Sequence, residues 1–195
     1  MTAQPQKKYS PQEYLELERA AEYKSEYYQG EIFAMAGAGR NHNGINENLS
    51  VRIGHYLLNK KCRTYSRDLR IHIPANGLYT YPDLVVVCGK QKYLDEQADT
   101  LLNPKVIIEI SSKSTIGYDR GEKFQLYRSI PSLQEYVLID SQRIAAEVNR
   151  RNPLGFWALM SEAYDLESSI ELASIGLTIS LRDIYNQIEN IGMTE

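Results

Sequence analysis

Two apolar stretches decide the fold of this chain: KVIIEISSKST (residues 105–115) and YPDLVVVCGK (residues 81–90). Each is rich in β-branched residues nearly throughout, which is typical of strands that are covered on both faces of a sheet. Each also carries one acidic residue, Glu109 in the first stretch and Asp83 in the second. A carboxylate on a buried strand costs several kcal/mol of desolvation unless its charge is compensated. We therefore ask what compensates these two residues.

The alternation of side chains along a strand shows where the two carboxylates point. Asp83 shares a face with Val85 and Val87, and Glu109 shares a face with Ile107. If the two strands are neighbours with these faces aligned, the carboxylates lie side by side and repel each other strongly. A divalent cation removes the conflict, because Mg²⁺ is typically held by one or two carboxylates together with water and substrate phosphate. The sequence thus predicts Asp83 and Glu109 as metal ligands.

Lys123 is the third residue of interest. Asp119 and Glu122 have the pattern of a helix N-cap and its capping box, which predicts a helix that begins near Asp119. Apolar residues follow Lys123 at i+3, i+4 and i+7, so Lys123 lies on the stripe that faces the sheet. Its ammonium needs an anionic partner, for which Asp83, Glu109 or a bound phosphate would serve. The alternative is a lysine that extends to solvent at the start of the helix.

The order of elements along the chain indicates the fold class. A capping box at Ser10–Glu13 opens a first helix, and the remaining patterns predict a short strand at 31–37, a helix at about 43–59, strands at 62–73, 81–88, 105–111 and 133–140, hairpins within 143–179 and a closing helix at 180–189. This order predicts an α/β (α+β) fold, a mixed β-sheet core flanked by helices, with additional antiparallel strands on the C-terminal side. We expect a single domain over residues 10–190 after a flexible N-terminal tail, residues 1–9.

Composition limits the cellular context. With 43% hydrophobic and 24% charged residues, the 195-residue chain has the make-up of a soluble globular protein. It has no apolar run of about 18 residues that could span a membrane, and MTAQPQKKYS lacks the apolar segment of a secretory signal. We therefore expect a cytoplasmic protein. Cys62 and Cys88 match no metal or redox spacing, so we expect two free, partly buried thiols.

The charge distribution is uneven. A formal net charge of −3 argues against a protein that coats nucleic acid. An enzyme that meets phosphate at one face needs only local basic groups, although solvated surface charge is the more common explanation of such groups. Two groups are present: Lys60, Lys61, Arg63, Arg67 and Arg70, and then Arg143, Arg150 and Arg151.

The chain resembles a known family, named "putative restriction endonuclease", which is common in cyanobacteria and belongs to the PD-(D/E)XK nuclease superfamily. The resemblance is carried by KSEYYQGEIFAMAG (24–37), NHNGINENL (41–49), YPDLVVVCG (81–89), residues 98–140 and SLRDIY (180–185). It implies a restriction-endonuclease-like core and a metal-dependent endonuclease that hydrolyses DNA phosphodiester bonds with Mg²⁺ (or Mn²⁺). Asp83 and Glu109 are then the metal ligands and, with Lys123, the catalytic residues.

The sequence departs from the superfamily pattern at one position. Ser111 stands where the superfamily has a lysine. In this family the lysine has moved to the following helix, which maps onto Lys123. Lys113 is the rival, with the correct strand parity but a position beyond the predicted end of the strand. Glu31 and His42 also match the family pattern and are further candidates, Glu31 as an additional acidic group and His42 as a ligand, a base or a phosphate contact. For each of these two, a structural hydrogen bond is the competing interpretation.

Two other functions stay open at this point. A catalytically inactive nuclease-fold module that binds nucleic acid or a protein partner is favoured by the acidic net charge and by the serine at position 111. A different two-carboxylate hydrolase, such as a glycosidase, would leave the lysine without a role. Nucleases that cut both strands are commonly two-fold dimers, so we expect a homodimer, for which residues 118–129 and 143–160 could supply the interface. Glu47 points away from the buried stripe of its helix and is rejected as a site residue, and we expect His55 and His72 to be structural or to face solvent.

Overall fold

The computed structural model describes residues 7–192, so residues 1–6 of the predicted N-terminal tail and residues 193–195 lie outside the described part. Helix α1 (Pro11–Ala20) begins with the predicted capping box, in which Ser10 and Glu13 satisfy each other's backbone N–H groups. The helical spacing of Tyr14, Leu17 and Ala21 predicts that these residues face the core, but only Tyr14 of the three is buried, together with Glu18, and Leu17 is exposed. Glu18 is buried because its carboxylate accepts hydrogen bonds from Ser25 and from the Tyr81 hydroxyl.

The other helices and the strands follow α1 in chain order. They are β1 (Ser25–Tyr28), β2 (Glu31–Ala34), α2 (Arg40–Tyr56), β3 (Cys62–Ser66), β4 (Arg70–Ile73), β5 (Leu78–Thr80), β6 (Leu84–Cys88), β7 (Thr100–Leu101), β8 (Val106–Ser111), α3 (Ile116–Tyr118), a π-helical turn (Asp119–Lys123), α4 (Phe124–Tyr127), β9 (Glu135–Asp140), β10 (Ala146–Arg151), β11 (Trp157–Ala163), β12 (Ser169–Leu172), β13 (Leu177–Ser180) and α5 (Leu181–Ile184). We call residues 116–127, from α3 through the π-helical turn to α4, the crossover helix. Within residues 7–192, none of the helices combines the length and the hydropathy that crossing a membrane requires.

The core of the molecule is a six-stranded mixed sheet. Its strand order is β11-β10-β9-β8-β6-β3. Strands β8 and β9 are parallel and are connected by the crossover helix, whereas the other neighbouring pairs are antiparallel. A parallel pair of this kind needs such a crossover, because a tight turn can join only antiparallel neighbours. The predicted mixed sheet flanked by helices is confirmed, and so are the antiparallel hairpins of its C-terminal side.

A second, five-stranded sheet packs beside the core. Its strand order is β2-β1-β5-β4-β7. The single strand predicted over residues 62–73 is therefore wrong, because β3 belongs to the six-stranded sheet and β4 to the five-stranded one. The break falls at Arg67, whose backbone has a left-handed φ of 39°. The closing helix is also shorter than predicted, since α5 ends at Ile184 and is capped at its start by Ser180.

Both faces of the six-stranded sheet are covered. Helix α2 packs Ile45, Leu49 and Ile53 against one face, as the helical spacing predicts. The crossover helix covers the other face, where Tyr127 is fully buried among residues of β6 and β8. This helix begins at Ile116, three residues before the predicted N-cap at Asp119. Asp119 is buried inside the helical segment and accepts a hydrogen bond from Ser111 at 2.8 Å, which fixes the segment to β8.

The two cysteines are joined in a disulfide, so the expectation of free thiols is wrong. The antiparallel register of β3 and β6 sets Cys62 directly opposite Cys88. This pairing depends on the strand register, which cysteine spacing along the sequence does not reveal.

Candidate active site

Asp83 and Glu109 lie side by side on the sheet face that the crossover helix covers. Asp83 comes directly before β6 and Glu109 lies within β8, and the register pairs Leu84 with Ile108. The Asp83 backbone N–H lies 3.4 Å from Glu109 Oε2. The alternation of side chains thus predicts the shared face of the two acids, although the strand begins one residue after Asp83.

Lys123 extends from the crossover helix to Glu109 on the same face of the sheet. Its Nζ lies 3.0 Å from Glu109 Oε1 and 3.4 Å from Glu26 Oε1, and the side chain is buried. Of the two interpretations left open by the sequence, the ion pair is therefore the one found. The rival Lys113 is exposed beyond the end of β8.

Hydrogen bonds hold one oxygen of each carboxylate. Glu109 Oε1 accepts the Tyr127 hydroxyl at 2.6 Å in addition to the Lys123 contact. Asp83 Oδ2 accepts the Ile110 N–H at 2.8 Å and lies 3.1 Å from His42 Nε2. The two side chains therefore have fixed orientations.

The remaining two carboxylate oxygens are less engaged. Among the residues that the structure describes, Asp83 Oδ1 has Arg67 Nε at 3.9 Å and Glu109 Oε2 has the Asp83 N–H at 3.4 Å. Two hard oxygen donors from adjacent acids fit Mg²⁺, which takes one or two carboxylates and fills its other positions with water and phosphate. Residues 7–192 contain no group of three or more His, Cys, Asp or Glu that could enclose a metal. The two carboxylates therefore fit an open binding site for a hard cation, in which water and phosphate complete the coordination, rather than a site made of protein ligands alone.

Burial and neighbouring charges shift the pKa values of Glu109 and Lys123. Burial raises the pKa of Glu109 to about 8, with further increases from Asp83 and Asp119, while Lys123 and the Tyr127 hydrogen bond oppose the shift. Burial alone would lower the pKa of Lys123, but the attraction of Glu109 and Glu26 outweighs it and raises that pKa well above its ordinary value. The ammonium of Lys123 is therefore a permanent positive charge between the two glutamates.

The other sequence candidates have different surroundings. His42 lies in the first turns of α2 against Asp83, and its buried Nδ1 has no hydrogen-bond partner in the described part of the chain. Ser111 is buried and donates to Asp119, so it anchors the crossover helix. Glu31 pairs with Lys8 at 2.6 Å and does not line the cleft above Asp83. The structure thus brings His42 to the central residues and leaves Glu31 apart from them.

Three residues around the site are not among the candidates that the sequence predicts. Glu26 on β1 contacts Lys123 and also accepts a hydrogen bond from Thr80. Tyr127 follows Lys123 at i+4, a helical spacing that could have identified it as a neighbour of the same carboxylate. Arg67 is part of a basic group in the sequence, and no signal in the sequence marks its left-handed backbone.

The central residues lie on the floor of an open cleft of about 780 Å³. Its walls come from the β1–β2 hairpin, the loop at residues 35–39, the start of α2 and the crossover helix. The cleft is therefore wide enough for a ligand much larger than a metal ion.

Comparison with known proteins assigns the chain to a family. The model of the Uma2 family, described as "Putative restriction endonuclease", matches residues 11–182. The chain belongs to this family. An uncharacterized protein of Synechocystis sp. (strain PCC 6803) is 36% identical over 181 residues, 93% of each chain, and a second one is 41% identical over 128 residues, 66% of this chain and 72% of its own.

A solved structure has a similar fold. The crystal structure of a "putative nuclease" from Anabaena variabilis superposes with a TM-score of 0.72 at 21% identity and covers 89% of this chain and 96% of its own. At that identity the likeness shows the fold alone. The family resemblance seen in the sequence is confirmed, and the family description supports a nuclease.

Proposed function

We propose that this protein is a metal-dependent endonuclease that hydrolyses DNA phosphodiester bonds and uses Mg²⁺ (or Mn²⁺). The observation that supports this function best is the convergence of Asp83, Glu109 and Lys123, drawn from three separate segments, on the floor of one cleft. Burial of Glu109 and Lys123 beside the partly buried Asp83 costs free energy that packing with apolar residues would avoid. Such a cost is typical of a functional site.

Each residue has a defined part in the proposed reaction. Asp83 and Glu109 supply the two less engaged oxygens that would hold the metal. Bound there, Mg²⁺ would polarise the scissile phosphate and lower the pKa of the attacking water. Ile110, His42 and Tyr127 keep the carboxylates in place through the hydrogen bonds and contacts described above.

Lys123 and Arg67 are the cations nearest to the reacting groups. A lysine ammonium has three N–H donors, and Lys123 forms ion pairs with Glu109 and Glu26. One of these donors would hold the attacking water, or the charge of the ammonium would offset the charge that builds on the phosphate oxygens. Arg67, whose Nε is 3.9 Å from Asp83 Oδ1, would contact a phosphate oxygen from the other side.

Cleavage of plasmid and linear DNA tests the proposal. We expect Asp83→Asn, Glu109→Gln and Lys123→Met each to lower the Mg²⁺-dependent rate at least 100-fold, the usual scale of a lost charge contact in a transition state. Glu47→Gln, on the exposed side of α2, is the matched control and should cut like the wild type, as should Glu31→Gln, whose partner is Lys8. Wild-type rates for the three site variants would refute the proposal.

A binding module without nuclease activity is the second candidate. It is favoured by the close engagement of Glu109 Oε1 with Lys123 and Tyr127, which leaves that oxygen unavailable to a metal. The same proteins decide between the two functions. A module would bind DNA equally well with and without a chelator and would show no cleavage with Mg²⁺ or Mn²⁺.

A further inference from the structure

The rim of the cleft carries exposed aromatic side chains. Tyr23 is 83% exposed, Phe33 48% and Tyr118 40%, and all three line the cleft that holds Asp83 and Glu109. Met35, another exposed apolar residue, lines the same cleft. Exposed apolar side chains that gather around a polar floor indicate a binding surface rather than scattered surface residues.

These side chains flank the central residues from two sides. Phe33 on β2 is the cross-strand partner of Glu26 on β1, and Glu26 contacts Lys123. Tyr118 belongs to the crossover helix, and burial together with the charge of Glu26 raises the pKa of its hydroxyl to about 12. Phe33 and Tyr118 therefore lie near one carboxylate, within reach of a ligand that enters the site.

The cleft offers few cations to a DNA backbone. Its basic residues are Lys24, Arg40, Arg67 and Lys123, against the acidic residues Glu22, Glu26, Asp83, Glu109 and Asp119. Lys123 is held by two glutamates, Arg40 pairs with Glu189 at 2.9 Å, and Lys24 pairs with Asp68. Arg67 donates to the Asn43 side chain and lies 3.9 Å from Asp83, so it is the cation that stands beside the two acids without a close ion pair. Lys60, Lys61 and Arg63 line a different depression at the outer end of β3.

The many aromatic and few basic groups of the cleft bear on whether it binds duplex DNA or an unpaired strand. Proteins that bind duplex DNA through its backbone commonly make about 6 to 10 phosphate contacts, and the cleft does not supply that number. Proteins that bind an unpaired strand stack its bases on aromatic side chains, for which few cations suffice. The rim therefore suits exposed bases better than a continuous duplex.

We propose that the substrate is an unpaired segment of DNA, whose bases stack on Tyr23, Phe33 and Tyr118 while its backbone passes Arg67. This inference rests on the proposed nuclease function and specifies its substrate class. Stacking on the rim would draw the backbone down to Asp83 and Glu109, so that the position of the stacked bases sets the position of the cut.

Binding in the absence of metal tests the inference independently of cleavage. A fluorescent single-stranded oligonucleotide with a 2-aminopurine base and the blunt duplex of the same sequence are titrated in a chelating buffer. We expect the single strand to bind at least tenfold more tightly than the duplex, with quenching of the 2-aminopurine. The logarithm of its affinity should fall with the logarithm of salt concentration with a slope of about −2, the value for about three phosphate contacts of a single strand.

Variants of the rim identify the surface that binds. Phe33→Ala and Tyr118→Ala should each weaken single-strand binding about tenfold, since a stacked base contributes on that scale, and Phe33→Tyr and Tyr118→Phe should restore it. Phe156→Ala is the matched control, because Phe156 is 68% exposed and does not line the cleft. Equal or tighter duplex binding, or alanine variants that bind like the wild type, would overturn the inference. Single-strand binding without any cleavage would refute the nuclease function alone, and cleavage of duplex without a single-strand preference would refute the inference alone.

Discussion

Replacement of Lys123 by methionine provides the most direct test of the site's electrostatics. The ammonium lies 3.0 Å from Glu109 and 3.4 Å from Glu26, and all three side chains are largely buried. Removal of one member of a buried ion pair costs about 3 to 5 kcal/mol, because the remaining charge has no compensation. Glu109 can lose its charge by protonation, since burial already raises its pKa to about 8. Because Glu109 is then mostly protonated at pH 7, we expect Lys123→Met to lose less than about 3 kcal/mol of unfolding free energy at that pH and to lose more above pH 8.

The loss should depend on pH in a defined direction. A carboxyl group whose pKa is higher in the folded than in the unfolded protein binds more protons when folded, so its contribution to stability falls as pH rises between the two pKa values. In the wild type this decline ends near pH 8, the folded pKa of Glu109. Without Lys123 the pKa of Glu109 is higher still, so the decline continues. The deficit of the variant should widen above pH 8 by up to about 1.4 kcal/mol per pH unit.

Urea unfolding in a chelating buffer at pH 7, 8 and 9 measures both effects. Lys113→Met is the matched control, because Lys113 is exposed, and its change should stay within about 0.5 kcal/mol. The double variant Lys123→Met, Glu109→Gln should recover part of the loss, since a neutral glutamine still accepts the Tyr127 hydroxyl. A Lys123→Met deficit as small as that of Lys113→Met, or one that is constant from pH 7 to 9, would show that the ion pair is not as described.

Three further predictions concern the metal, the strained arginine and the oligomeric state. The affinity for Mg²⁺ should rise by up to about tenfold per pH unit below pH 8 and become constant above it, because Glu109 must lose its proton before it can bind the metal. Calorimetric titration at several pH values measures this affinity. Arg67→Gly should lower cleavage at least tenfold without lowering Tm, because glycine adopts the left-handed φ of 39° at no steric cost. The homodimer stays a prediction. Leu159 and Met160 are exposed on the edge strand β11, which could pair with a second copy of the chain. Met160→Arg should therefore give the mass of a monomer in light scattering, and an unchanged mass would exclude that interface.

The parts of the site that follow from local periodicity could be predicted from the sequence. Side-chain alternation along β6 and β8 suffices to set Asp83 and Glu109 on one face, and helical spacing suffices to direct Lys123 to the sheet. Both patterns depend only on residues within one element and on which element lies next to it. The family resemblance contributed the choice of Lys123 over Lys113.

The parts that depend on long-range register could not be predicted. The Cys62–Cys88 disulfide follows from the pairing of β3 with β6, and the contact of Glu26 with Lys123 follows from the packing of the five-stranded sheet against the crossover helix. Asp119 has the composition of an N-cap, yet tertiary contacts with Ser111 and Tyr136 place it inside the helix. The break at Arg67 requires a backbone conformation that arginine seldom adopts, so residue preference argues against it.

The π-helical turn at Asp119–Lys123 has a consequence for how sequence changes in this region can be tolerated. Such a turn holds one residue more than an α-helical turn, and it ends at the lysine itself. Deletion of a single residue there, for example Gly121, would convert the turn to regular α-helix and leave the helical residues on its two sides in nearly the same relative orientation. The extra residue could therefore be lost without carrying the amine to another side of the helix, whereas the same deletion within a regular α-helical turn would rotate the flanking side chains by about 100°.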